Sequence, residues 1–264
     1  MRNQTLAIMV ALASTTATAQ VPEVPATLDI LSGWREADGR HVAALHIQMA
    51  KGWKTYWRVP GEGGIPPRFD WSRSRNLSGV AVSWPVPSVF NDYGLRSIGY
   101  VDEVVLPIVI LPKNGADEIA FQTTIEIGVC EEVCIPVTLS AAATLTAQSV
   151  ARDPAISSAI ADRPIGETAA GVRSVECAIE PISDGLKLTA TVKMPRLGRD
   201  EETVIELGDP NVWVSRPIHT RQRGTLTTTS ELVAPSGQPF SLDRSDVRIT
   251  ILSPGQAVDI QGCG

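Results

Sequence analysis

The hydrophobic and polar positions of the chain form short runs, rich in Val, Ile, Leu and Thr and bounded by Gly, Pro, Asn or Asp. Such runs are typical of β-strands. Within residues 121–129, Thr and apolar residues on one face alternate with Thr124 and Glu126 on the other, as expected for a half-buried strand. The pattern predicts strands at residues 41–48, 80–84, 104–111, 121–129, 186–192, 203–207, 211–214, 225–233 and 247–252.

One segment in the middle of the chain has a different character. Asp153-Pro154 is typical of a helix N-cap followed by proline, and Arg163-Pro164 ends the segment, so a short helix is predicted over residues 155–161. The 19 prolines leave little room for long helices elsewhere. We therefore predict an all-β protein in which two β-sandwich domains, at residues 20–146 and 167–264, are joined by a short helical linker at 147–166.

The N-terminus has the pattern of a secretory signal. Arg2 precedes a short apolar run, and Ala17-Thr18-Ala19 matches a cleavage site, so residues 1–19 are predicted to be a signal peptide. The run is too short to span a bilayer, and no later segment is long and apolar enough. We expect an exported protein that does not span the membrane. The bacterial periplasm, where disulfides persist, is the predicted compartment.

Composition excludes several classes of function. The net charge of −6 argues against a nucleic-acid partner, which would require a basic face. Three scattered histidines are too few for a His-rich metal site, and neither a metal nor another cofactor is predicted. The glycine-rich segment at residues 60–67 is not followed by Lys-Ser or Lys-Thr, so a loop is favoured over a phosphate site.

The four cysteines are the candidate residues for disulfide and redox chemistry. They allow three pairings, of which Cys130–Cys134 with Cys177–Cys263 is the simplest. On the chain-entropy model the long bridge contributes roughly 4–5 kcal/mol and the short one only about 2 kcal/mol. We therefore predict a structural role for Cys177–Cys263 and a redox-active role for Cys130 and Cys134, the candidate catalytic residues.

Two other interpretations of the short pair remain open. It could be a structural hairpin disulfide, or its two thiolates could bind Cu(I). No His or Met lies near the pair in sequence, which argues against the metal. Glu131 and Glu132 place negative charge beside both sulfurs and disfavour a strongly activated thiolate. That environment suits a disulfide that is attacked by a partner's thiol.

Several motifs carry a resemblance to a known family. They are found at residues 52–61 (GWKTYWRVPG), 65–71 (IPPRFDW), 84–85 (WP), 93–94 (YG), 98–100 (IGY) and 128–136 (GVCEEVCIP). Together they resemble the N-terminal periplasmic region of DsbD-type thiol:disulfide interchange proteins, nearest to the ScsB-like branch associated with suppression of copper sensitivity. The resemblance is good over roughly residues 33–140 and looser beyond.

The resemblance implies an immunoglobulin-like fold, for the second domain as well as the first, and a thiol:disulfide oxidoreductase of the protein-disulfide reductase type. Its Cys130/Cys134 pair would relay electrons from a thioredoxin-like or DsbD/CcdA-type membrane donor to disulfide-bonded periplasmic clients. It also implies a cap loop over the sulfurs at Phe90, Asn91, Asp92, Tyr93 and Gly94. The sequence differs in the closer spacing of the cysteines and in having Asp92 where a shielding Phe is usual.

No membrane module or C-x-x-C thioredoxin domain is present in this sequence, so the donor is expected to be a separate protein. Two alternative functions stay open at this point. One is a Cu(I)-binding copper-resistance module. The other is a redox-silent β-sandwich interaction protein that uses the aromatic-rich surface between Trp53 and Tyr100, where nine of the 13 aromatic residues lie.

Overall fold

The computed structural model describes residues 25–92 and 94–264, and the predicted signal peptide at 1–19 lies outside them. The described part of the chain is all-β, with 19 strands, one α-helix and one short 3-10 turn at Arg244–Asp246. This confirms the prediction of an all-β protein. No helix in the described part is long and apolar enough to cross a membrane.

Residues 26–145 form two sheets. The first contains, in spatial order, β1 (Ala26–Arg35), β2 (His41–Met49), β8 (Glu103–Leu111) and β5 (Gly79–Val82). The second contains β10 (Cys134–Leu145), β9 (Ile119–Cys130), β3 (Lys54–Tyr56), β7 (Leu95–Val101) and β6 (Ser88–Asp92), and β4 (Arg68–Asp70) also pairs with β9. Buried side chains from both sheets meet in one core, in which Trp57 and Phe121 are the largest fully buried residues.

Strand β9 shows how the sequence pattern builds this core. Its alternate residues Phe121, Ile125 and Ile127 are buried, whereas Glu126 between them is exposed, as the period of two predicts. At the end of the strand the alternation stops, and the last four residues, from Ile127 to Cys130, are all buried. The end of β9 is therefore covered on both faces.

Residues 165–261 form two further sheets. One contains β11 (Ile165–Gly166), β19 (Gln256–Gln261), β18 (Arg248–Ser253) and β14 (Glu202–Glu206). The other contains β12 (Ser174–Ile182), β13 (Gly185–Lys193), β17 (Thr225–Val233) and β15 (Trp213–Val214), with β16 (Ile218–Gln222) also paired to β17. The Cys177–Cys263 disulfide ties β12 to the C-terminal residues, which confirms that predicted pairing.

The predicted helix is present as α1 (Pro154–Ala161). Asp153 caps it by accepting hydrogen bonds from the backbone N–H groups of Ala155 and Ile156. Its one buried residue, Ile156, packs against Trp34, Val42 and Ala44 of β1 and β2. The helix therefore lies on the outer face of the first sheet.

Strand β10 is one of the strands that the sequence pattern did not predict. Its three consecutive alanines at 141–143 obscure the alternation of Val137, Leu139 and Leu145 with the exposed Thr138, Ser140 and Thr144. Its extended conformation comes from continuous pairing with β9. The predicted strand at 211–214 is shorter in the structure, where only Trp213–Val214 pair with β17.

Two glutamates of strand β14 form ion pairs with arginines of the first pair of sheets. Arg96 of β7 is only 3% exposed and donates from Nη1 to Glu202 Oε2 at 3.0 Å. Arg58, just after β3, donates from Nε and Nη2 to the Glu206 carboxylate at 2.9 and 2.8 Å. Between the two glutamates, Val204 packs into the first core. We call these two pairs the arginine clamp.

The clamp predicts that Glu206→Gln destabilises the protein. The substitution leaves the largely buried Arg58 charge without its counter-ion, and we expect the free energy of unfolding to fall by about 2 kcal/mol, below the 3–5 kcal/mol of a fully buried pair. Urea unfolding measures the change. The matched control is Glu180→Gln, which removes an exposed pair with Lys187 and should cost less than 1 kcal/mol. Equal losses in the two variants would contradict the clamp.

A second prediction concerns His41 of β2. It is fully buried and donates from Nε2 to the Ser32 carbonyl at 2.6 Å, while its Nδ1 has no hydrogen-bond partner among the described residues. Burial lowers the pKa of His41, the charge of Arg35 lowers it further, and the Ser32 hydrogen bond opposes the change. As the pH falls, His41 therefore becomes protonated in the unfolded chain before it does so in the folded protein.

We expect the free energy of unfolding to fall as the pH drops below about 6.5, the ordinary value for histidine, by at most about 1.4 kcal/mol per pH unit from this residue. Above that pH, residue 41 is neutral in both states and its contribution is fully present. Urea unfolding at several pH values between 7.5 and 5 measures the effect. His41→Gln should reduce this dependence, and His46→Gln, at a less buried histidine paired with Glu103, should retain it. The same slope in wild type and His41→Gln would refute the prediction.

Candidate functional site

The Cys130–Cys134 disulfide closes the hairpin between β9 and β10. Cys130 is the last residue of β9, Cys134 is the first of β10, and the two face each other in the antiparallel register with their Cα atoms 4.1 Å apart. The predicted pairing is therefore confirmed. The structure does not bring Cys177 or Cys263 to this site, because they are bonded to each other in the second pair of sheets.

The two cysteines have unequal surroundings. Cys130 lies at the covered end of β9 and is 1% exposed, whereas Cys134 is exposed. The connecting residues Glu131, Glu132 and Val133 are also exposed, Val133 by 70%. A molecule from solution therefore reaches the disulfide from the side of Cys134.

Tyr56 of β3 contacts both sulfurs. Its Oη lies 2.7 Å from Cys130 Sγ and 3.1 Å from Cys134 Sγ. Because the sulfurs of a disulfide carry no hydrogen, the tyrosine hydroxyl is the donor in these contacts. The same hydroxyl also lies 3.3 Å from the carbonyl oxygen of Gly63. The disulfide thus has a buried hydrogen-bond donor beside its less accessible sulfur.

Two glycines make room for the Tyr56 ring. A Cβ atom on Gly128 of β9 would lie 2.9 Å from Tyr56 Cε2, and one on Gly64 would lie 2.8 Å from Tyr56 Cδ1. Either contact is too close for real side chains, so the ring could not keep its position. The glycine-rich segment at 60–67, predicted only as a loop, is therefore part of the cover over the ring.

Lys54 is the second site residue from β3. It is the register partner of Cys130, and it lies two residues before Tyr56, so both side chains are on the same face of the strand. A cavity of about 290 Å³ adjoins the disulfide; it is lined by Lys54, Tyr56, Gly63, Leu95, Ser97, Cys130, Glu131, Glu132 and Cys134. Sequence reasoning did not identify Lys54 and Tyr56 as site residues, although the Lys-Thr-Tyr alternation within the 52–61 motif was a usable signal.

The segment expected to form a cap belongs to the hairpin of β6 and β7. Phe90 lies in β6, where its ring centroid is 5.0 Å from Lys54 Nζ, and Leu95 of β7 lines the cavity. Of the other residues in the expected cap, Tyr93 and the side chain of Asp92 lie outside the described residues. The hairpin is thus adjacent to the disulfide, and its shielding role stays a prediction.

The described residues provide little for a metal. No group of three His, Cys, Asp or Glu side chains in residues 25–92 and 94–264 is arranged to hold an ion. Glu131 and Glu132 line the cavity, as their position beside the cysteines led us to expect. Their carboxylates place negative charge at the exposed side of the disulfide.

Comparison with known proteins supports the resemblance in the first half of the chain. Residues 27–146 match the family model described as "Thiol:disulfide interchange protein DsbD, N-terminal". No curated protein matches the chain in sequence. Among solved structures, the N-terminal periplasmic domain of ScsB from Proteus mirabilis is similar, with a TM-score of 0.64 and 23% identity over 93% of this chain and 97% of that chain. The resemblance to DsbD-type proteins is thereby confirmed, and the similarity of fold extends over both pairs of sheets.

The contact between Tyr56 and the sulfurs predicts the effect of Tyr56→Phe on thiol exchange. When the disulfide opens, the hydroxyl can donate to the departing thiolate, and a hydrogen bond to a charged group contributes about 1.5 kcal/mol. We therefore expect Tyr56→Phe to slow reduction by dithiothreitol roughly tenfold. Stopped-flow kinetics with a fluorescence readout measures the rate.

Tyr100→Phe is the matched control, because that hydroxyl donates to the Pro85 carbonyl in the core and is not in contact with the sulfurs. It should leave the rate unchanged. Gly128→Ala should slow exchange as Tyr56→Phe does by displacing the ring, whereas Gly166→Ala, which meets open space, should not. Wild-type rates in both Tyr56→Phe and Gly128→Ala would show that the contact has no role in exchange.

Proposed function

We propose that this chain is a periplasmic thiol–disulfide exchange protein that relays electrons through Cys130 and Cys134 from a membrane reductase to disulfide-bonded client proteins. The observation that carries the proposal is the asymmetry of the pair, with an exposed Cys134 bonded to a buried Cys130 that has a hydrogen-bond donor at 2.7 Å. The match of residues 27–146 to the DsbD N-terminal family model supports it.

The first half-reaction is reduction of the chain by a donor dithiol. A donor thiolate attacks Cys134 Sγ, the Cys130–Cys134 bond breaks, and its electron pair leaves on Cys130 Sγ. The second donor thiolate then attacks the mixed disulfide and releases Cys134 as a thiolate. The donor becomes a disulfide and the chain a dithiol, so two electrons have been transferred. Tyr56 stabilises the Cys130 thiolate by donating its hydrogen bond.

The second half-reaction passes the electrons to a client. The exposed Cys134 thiolate attacks the client disulfide and forms a mixed disulfide, and one client sulfur leaves as a thiolate. Cys130 then attacks Cys134 Sγ, which restores the intramolecular bond and releases the reduced client. In this scheme Cys134 meets both partners, and Cys130 is the leaving group in one direction and the resolving nucleophile in the other.

The proposed organisation has an immunoglobulin-like redox domain at 20–146, a linker at 147–166 and a second β-sandwich domain, also immunoglobulin-like, at 167–264. The signal peptide at 1–19 would deliver the chain to the periplasm. Partners of this scheme are a thioredoxin-like or DsbD/CcdA-type membrane donor and periplasmic disulfide-bonded clients. The Cu(I)-binding and redox-silent alternatives have no feature among the described residues that favours them over exchange.

Trapping with single-cysteine variants tests the proposal. Cys130→Ser leaves the exposed Cys134 able to form a mixed disulfide that cannot be resolved, so covalent complexes should accumulate in cells. Cys134→Ser leaves only the buried Cys130 and should give at least tenfold fewer complexes. Non-reducing electrophoresis of cells expressing either variant, followed by mass spectrometry, identifies the partners. Equal trapping by the two variants would contradict the assigned order of attack.

The reduction potential of the wild-type pair decides whether it exchanges at all. We expect the pair to equilibrate with glutathione or dithiothreitol buffers in the range of exchange proteins. A potential well below about −300 mV would place the bond among structural disulfides and would overturn the proposed function. Absence of any trapped partner would do the same.

A further inference from the structure

The strand that supplies the hydrogen bond to the disulfide also contains a lysine in register with Cys130. Lys54 and Cys130 are directly opposite each other on β3 and β9, and residues so paired have Cβ atoms roughly 4.5–5.5 Å apart on the same face of the sheet. Both also line the cavity beside the disulfide. Neither the family match nor the proposed half-reactions assign a role to this lysine.

The charge balance of the cavity explains why a cation at this position matters. Its lining residues include two carboxylates, Glu131 and Glu132, and Lys54 is the one cationic side chain among the described residues that line it. Opening the disulfide creates a thiolate on Cys130, which is 1% exposed. A buried anion is strongly disfavoured unless a nearby charge or hydrogen bond compensates it.

A contact from the neighbouring hairpin restrains the ammonium group. Lys54 Nζ lies 5.0 Å from the ring centroid of Phe90, within the range of a cation–π interaction. Phe90 pairs with Ser97, which lines the same cavity. The half-buried lysine is therefore held beside the site by β6, and it is less free to extend into solvent than an ordinary surface lysine.

We propose that Lys54 is a charge-compensating residue of the redox site, whose ammonium stabilises the Cys130 thiolate formed when the Cys130–Cys134 bond opens. The proposal deepens the proposed function and rests on it for its biological meaning. Tyr56 then stabilises the Cys130 thiolate by a direct hydrogen bond, and Lys54 stabilises it by its charge. Phe90 acts on the site through Lys54 and is a positioning residue.

The thiol titration of Cys130 tests this without a partner or an attacking thiol. In the Cys134→Ser background, where Cys130 is the one free cysteine while Cys177–Cys263 stays bonded, thiolate absorbance near 240 nm is followed against pH. We expect Lys54→Met to raise the titration midpoint by about one pH unit, a tenfold loss of thiolate at neutral pH, since an opposite charge nearby favours the ionised form. Lys54→Arg should restore most of it.

The matched control is Lys51→Met, which removes an exposed lysine three residues earlier and should leave the midpoint unchanged. In the protein with both cysteines, Lys54→Met should slow reduction by dithiothreitol about tenfold. The difference from wild type should shrink at 1 M salt, because salt screens the charge of the ammonium. Phe90→Leu should give a smaller change in the same direction. Circular dichroism checks that each variant is folded.

The outcomes separate this inference from the proposed function. If Lys54→Met slows reduction but leaves the titration of Cys130 unchanged, the lysine acts on the incoming thiolate and the inference is wrong. An unchanged titration together with trapped partners overturns the inference alone. If Lys54→Met shifts the titration of Cys130 but the reduction potential of Cys130–Cys134 is that of a structural disulfide, the inference stands and the proposed function is overturned. If Lys54→Met does not fold, the comparison of Lys54→Gln with Lys54→Arg provides the same test.

Discussion

The alignment of β9 between β3 and β10 is the constraint on which the site depends. Its last residue, Cys130, is in register with Cys134 on one side and with Lys54 on the other. A shift of one residue in either pairing would turn the partner side chain to the opposite face of the sheet. The register is held by the core residues Phe121 and Ile125, away from the site, and next to the site by the Thr55 hydroxyl, which donates to the Gly128 carbonyl at 2.9 Å. Packing of the sandwich thereby determines which groups surround the sulfur.

The chemistry follows from the difference between the two ends of one bond. The strand end that carries Cys130 is covered by the Tyr56 ring and the glycine-rich segment, while Cys134 begins an edge strand that is open to solvent. A disulfide with equal surroundings on both sides would let a partner thiol attack either sulfur. In the proposed exchange reaction, burial selects the sulfur that is attacked, and the hydrogen bond of Tyr56 and the charge of Lys54 stabilise the other sulfur as the leaving group. The negative side chains of the turn, Glu131 and Glu132, lie on the accessible side of the disulfide.

The sequence allowed prediction of features that depend on local pattern. The alternation in 121–129 predicted the central strand, Asp153-Pro154 predicted the helix, and the simplest pairing of the four cysteines predicted both disulfides. Features that depend on distant contacts were missed. Tyr56, for example, is 74 residues away from the sulfur of Cys130 that it contacts. The arginine clamp was also missed, because Arg58 and Glu206 have no shared pattern in a single sequence and are 148 residues apart.

The arginine clamp has a consequence for how the molecule can be divided. Arg96 lies between Leu95 and Ser97, two residues that line the cavity at the disulfide, and Arg58 follows Tyr56 by two positions. Glu202 and Glu206, which pair with these arginines, and Val204, which packs into the first core, belong to β14, outside the 27–146 segment that matches the family model. A fragment ending at the helix would keep the residues that touch the sulfurs. In it Arg58 would lose Glu206, and Arg96 would lose Glu202 and keep Glu62, which lies 3.7 Å away. For transplantation into another protein, the smallest transferable unit is therefore residues 26–145 together with β14 and the sheet that carries it.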